Sequence, residues 1–77
     1  MPLHPLMISL AGETDELSIH ADHDAAWTAL LRYIDQRWSR LIGTEAPAGD
    51  NARVEAFFLL PDSFYLIGEV VATLPGA

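Results

Sequence analysis

Apolar residues recur at spacings of three and four through the middle of the chain. Trp27, Leu30, Leu31, Ile34, Trp38, Leu41 and Ile42 fall within an arc of about 120° when each residue turns about 100°. This pattern predicts an amphipathic helix over residues 22–42. Asp22 stands where an N-cap belongs and Asp24 just inside it, where carboxylates meet the unpaired amides of a first turn. Arg32, Arg37 and Arg40 come later, at the end that favours cations, and Gly43 is placed to terminate the helix.

Elsewhere the period drops to two. Leu6, Ile8 and Leu10 alternate with Met7, Ser9 and Ala11, predicting a strand over 6–11. Residues 1–5, with Pro2 and Pro5, read as a loose start. Residues 12–15 read as a turn, and 16–20, with Leu17 and Ile19 on one face, as a second strand completing a hairpin. Beyond the helix, 43–51 reads as a loop. Val54, Ala56, Phe58 and Leu60 alternate with Arg53, Glu55, Phe57 and Leu59, predicting a third strand over 53–60. Pro61, Asp62 and Ser63 make the next turn, and a fourth strand follows over 64–72. Residues 73–77 read as a loose tail.

These elements predict one α+β domain over 1–77: a ββαββ chain whose two hairpins form an antiparallel sheet under a single amphipathic helix. The expected core partners of the helix are Ile8, Leu17 or Ile19, Val54, Phe58, Leu66 and Val70. One helix covers one face only, and the second hairpin is apolar on both. Phe57, Leu59, Tyr65 and Ile67 are therefore expected on an open face, as an apolar patch of the kind that marks a protein interface. The leading functional expectation is a small acidic interaction module, homodimeric through that face.

Composition narrows the partners. The 77 residues carry eleven acids, four arginines, no lysine and a formal charge of −7. Such a chain repels phosphate backbones and anionic bilayers, which argues against direct nucleic-acid or membrane binding. The alternative reading is an acidic inhibitor or regulator of a basic partner, in DNA-mimic style, through Glu13, Asp15, Glu16, Asp22 and Asp24. The absence of cysteine excludes disulfides and thiolate chemistry and fits a reducing cytoplasm. The lack of lysine beside abundant alanine points to a GC-rich bacterial or phage genome.

Candidate chemistry is sparse. His20, Asp22, His23 and Asp24 are the densest polar group, and His20, His23 and Asp22 are the candidate ligands of a minor metal or small-molecule site, with His4 a remote third histidine. The spacing matches no standard metal motif. The serines lie in no nucleophile setting, and the glycines make no phosphate loop. The expectation is a non-enzymatic chain without a cofactor.

Overall fold

The computed structural model describes residues 2–71. Six elements follow in order: β1 (Pro2–Ser9), β2 (Glu16–His20), α1 (His23–Leu41), α2 (Asp50–Phe57), β3 (Phe64–Ile67) and β4 (Val70–Val71). They make an α+β domain in which two helices pack against a four-stranded antiparallel sheet. β1 is central, with β2 on one side and β3 and β4 both on the other.

Helix α1 matches its pattern closely. The Asp22 carboxylate accepts the Ala25 amide at 2.7 Å, Asp24 occupies the first turn and Arg40 the last. Gly43 takes φ +80°, the left-handed conformation of a helix stop, and its amide bonds the Trp38 carbonyl at 3.0 Å. The inward stripe is centred on Ala26, Leu30, Tyr33, Ile34 and Trp38, with Trp27, Leu31, Leu41 and Ile42 on its flanks.

The strand expected over 53–60 is instead helix α2 followed by a turn, so the chain is not ββαββ. The physical reason lies in two residues. Val54 and Phe57 are both buried, at 3% and 0% exposure. A strand would send them to opposite faces, whereas a helix brings residues three apart onto one. Eight apolar-rich residues satisfy either period. Favourable alanines at 52 and 56 and the Arg53–Asp50 pair at 3.3 Å support the helix locally. Arg53 also reaches Asp35 of α1 at 3.2 Å, tying the two helices together. The loop before α2 correspondingly ends earlier than expected, since Asp50 and Asn51 are helical.

The start of the chain is also a correction, because residues 2–5 belong to β1. Antiparallel pairing tolerates both prolines. The Gly68 amide donates to the Pro5 carbonyl at 2.9 Å, so the ladder groups of Pro5 face β3 and β4. Its missing N–H interrupts that ladder just where β3 ends, yet Leu6 opposite Ile67 and Leu3 opposite Val70 keep one register. β3 and β4 are thus one strand broken at residues 68–69. By the same alternation Pro2 faces the β2 side, beyond the last paired residue His20. The rest of the expected fourth strand and the tail, 72–77, lie outside the described residues.

The core sits between the helices and one face of the sheet. Leu6, Ile8 and Leu10 meet Leu30, Ile34 and Trp38 from α1 and Val54 and Phe57 from α2. Phe57 is its hub, with ring centroids 6.5 Å from Tyr33 and 6.3 Å from Trp38. The indole N–H of Trp38 donates to the Thr44 carbonyl at 2.6 Å, which satisfies the polar end of a buried ring.

Candidate protein interface

Directly opposed residues of antiparallel strands project to the same side. Leu6 and Ile8 point to the helices, so their partners Ser18, Glu16, Ile67 and Tyr65 share that side. The other side is built from Leu3, Pro5, Met7 and Ser9 of β1, Leu17 and Ile19 of β2, Phe64 and Leu66 of β3, and Val70 of β4. Its middle row runs Leu17–Met7–Leu66 straight across three strands.

Among the described residues this open face carries no charged side chain. Leu17 is 71% exposed, Ile19 66% and Leu66 60%, with Phe64 and Val70 about half exposed. An apolar surface of several hundred Å² results, larger than the scattered leucines a soluble surface usually shows. Edge strand β2 makes the point most sharply. It turns Glu16, Ser18 and His20 toward the helix side and Leu17 and Ile19 outward.

The open face exists, but its residues differ from those expected. Phe57 lies at the centre of the core, because α2 replaces a strand. Leu59 is 83% exposed but sits in the turn after α2, off the sheet. Tyr65 and Ile67 are on the helix side, where the Tyr65 ring lies 4.9 Å from that of Phe58 and Ile67 packs on the core. Conversely, Leu66, Val70 and both members of the pair Leu17 and Ile19, one of which was expected under the helix, are outward. The assignment of the two faces in β2 and β3 is inverted. Phe58, expected in the core as part of a strand, packs beside it from the turn.

The acidic residues do not form one free field. Glu13 pairs with Arg40, which holds its carboxyl below the usual range through a hydrogen bond and the guanidinium charge. Glu16 lies 3.9 Å from Arg37, and Asp22 is the helix cap. Asp15 and Asp24 are exposed. Arg37 stacks its guanidinium 3.6 Å from the centre of the Tyr33 ring. Burial raises the Tyr33 hydroxyl above its ordinary range, with the nearby Arg37 charge opposing.

Two other places hold candidate chemistry. A half-open apolar cleft of about 350 Å³ lies between Leu10, Leu41, Leu60 and Pro61, with the Glu13–Arg40 pair at its rim. It is of small-ligand size, but its charged groups already satisfy each other. At the other end of the sheet His4 is paired directly with His20, and the His4 and His23 rings meet edge to face at 6.3 Å between centroids. His20 Nε2 is 2.7 Å from the Ser18 hydroxyl. His4 is thus brought beside the two histidines that sequence spacing had grouped, by strand pairing that no local motif reveals. Asp22, the third candidate ligand, has one carboxylate oxygen committed to its helix.

Comparison of the chain with protein-family models, with curated proteins and with solved structures finds no match. Among the described residues no helix is long and apolar enough to cross a membrane.

Proposed function

We propose that this chain is a non-catalytic protein-interaction module that forms a homodimer by laying the open faces of two sheets together. The observation carrying this reading is the uncharged row of exposed Leu17 and Leu66 on either side of half-buried Met7, with Ile19, Phe64 and Val70 around it. A second copy fits this face better than a basic partner does. The face offers a cation nothing to pair with, while most of the candidate acidic group is engaged on the helix side or in capping. Two chains of −7 charge repel, and a face without acids lets them meet with their charges turned outward. Burying several hundred Å² on each copy gives about 1,000 Å² in total, the lower bound for a specific interface. The result is two sheets packed about 10 Å apart with helices outside, an arrangement that satisfies a two-fold axis.

Sedimentation of the pure protein from micromolar to millimolar concentration tests this. The expected result is a monomer–dimer equilibrium that Leu66→Glu abolishes without loss of helical signal. A wild-type chain that stays monomeric at millimolar concentration overturns the dimer.

A further inference from the structure

We propose that His4, His20 and His23 form a binding site for one divalent transition-metal ion of the zinc class. The chain has three histidines, and the fold brings all three to the same end of the sheet. They come from three separate elements: the beginning of β1, the last residue of β2 and the first residue of α1. His4 and His20 are a directly opposed pair on the helix side, so their side chains leave neighbouring strands on the same face, although the His20 ring is turned toward Ser18. His23 descends to that face from the helix start and meets the His4 ring nearly perpendicularly, at 88°.

The spacing is close to that of a metal site. With Zn–N bonds of about 2.0–2.1 Å, two imidazoles on one tetrahedral ion have ring centroids about 5–6 Å apart. The His4 and His23 centroids are 6.3 Å apart. As the side chains stand, no three potential ligands among the described residues meet in ligating geometry. Closure requires the His4 and His23 rings to approach by about 1 Å for a tetrahedral ion. It also requires His20 to release its Ser18 partner. That hydrogen bond is the present alternative to the metal, and it engages Nε2, one of the two atoms that can ligate.

Three imidazoles leave a tetrahedral ion one further position, for water or a carboxylate. Glu69 falls opposite His4 by the register that joins β3 to β4, and it is exposed. Asp24 lies next to His23 in the first turn of α1. These acids, within a chain of −7 charge, attract a dication to this end. His23 is exposed and His4 and His20 are half buried, so an ion has access. Binding would join the two strands to the helix start and stabilise the folded chain.

The decisive measurement is a titration of isotope-labelled protein, prepared without a histidine tag, with zinc chloride at neutral pH. Imidazole resonances are followed by NMR, and thermal stability is measured in parallel. The expected result is that His4, His20 and His23 respond together and saturate at one equivalent, with a rise in thermal midpoint. His4→Ala should weaken binding at least about tenfold. Ser18→Ala, which frees His20 from its competing partner, should bind zinc at least as tightly as the wild type. Response of only one or two histidines, or no saturation up to millimolar zinc, overturns the site. The wild-type titration decides even if a variant fails to fold. The proposal stands apart from the dimer, which uses the opposite face of the sheet.

Discussion

On the helix side of the sheet, Leu6 and Ile8 are sealed under two helices at 2% and 1% exposure. On the other side, Leu17, Ile19 and Leu66 stand more than half exposed, though their residue types are the same. The faces differ in what covers them rather than in hydrophobicity. The covered face has aromatic partners of matching shape, Phe57 above all, and a helix that buries five residues along one stripe. The open face has a row of aliphatic side chains from three strands, and among the described residues no helix lies over it. An apolar face therefore becomes core only where the same chain can supply a complementary lid. Where it does not, the face stays exposed, as Leu17, Ile19 and Leu66 do.

The largest break in this comparison comes from the covered face. Phe57→Ala removes the ring that links α1, α2 and the sheet and should cost about 3–5 kcal/mol. That is as much as a core of this size supplies, about 3–5 kcal/mol, so the variant should be largely unfolded by circular dichroism and denaturant titration. The equivalent insult to the open face should spare the monomer. Leu17→Glu with Leu66→Glu should remove dimerisation in sedimentation, while the unfolding midpoint measured on dilute monomer changes little. If the double variant unfolds the monomer instead, the open face is part of the core. A smaller loss is expected at the start of the covering helix. Asp22→Ala removes the bond to the Ala25 amide and should lower stability by about 1 kcal/mol, read from urea unfolding.

The smallest effect is the pH dependence from Glu13. Its carboxyl is held below the ordinary value of 4.5 by Arg40, so the folded state favours the ionised form. The contribution is present above the unfolded value and lost as pH falls through the lowered folded value. Because the pair is solvent-exposed, Glu13→Gln should produce only a slight change in acid unfolding, which fades with added salt. A large change would mean that the rim of the Leu10–Leu41–Leu60 cleft matters more to the fold than its exposure implies.

Much of the chain was legible because its signals are local. The Asp22 cap, the Gly43 stop and a sustained apolar stripe each arise within a few residues, and together they define α1. β2 was equally legible, since residues 16–20 alternate cleanly between turn signals. Residues 53–60 were not. Val54, Ala56, Phe58 and Leu60 fit a strand, and Val54, Phe57 and Phe58 fit a helix, so a short two-sided apolar run leaves the period undetermined. The error carried forward. Placing residues 53–60 in a strand put Phe57 and Leu59 on the open face and, with Phe58 as partner, Leu66 and Val70 under the helix. Leu17 or Ile19 was expected there on a separate ground, the alternation with Glu16, Ser18 and His20, which marks two faces without saying which is covered. That the sheet would retain an apolar face was nevertheless readable, from more apolar strand positions than one helix could cover. The histidine cluster was half readable: His20 and His23 are near neighbours in sequence, but His4 joins them only through the β1–β2 register.

The sequence alone determined the α+β class, the long helix with both its ends, the strand of the first hairpin that precedes it, and a formal net charge of −7. These follow from capping chemistry, periodicity and counting, which act over a few residues or over the whole composition. Tertiary structure decided that 50–57 is a helix, that β1 is the central strand, and which face of the sheet lies under cover. Each of those choices depends on contacts between residues far apart in the chain. Phe57 is buried against Tyr33 and Trp38 together with Val54, an arrangement that a helix allows and a strand, sending the two to opposite faces, does not.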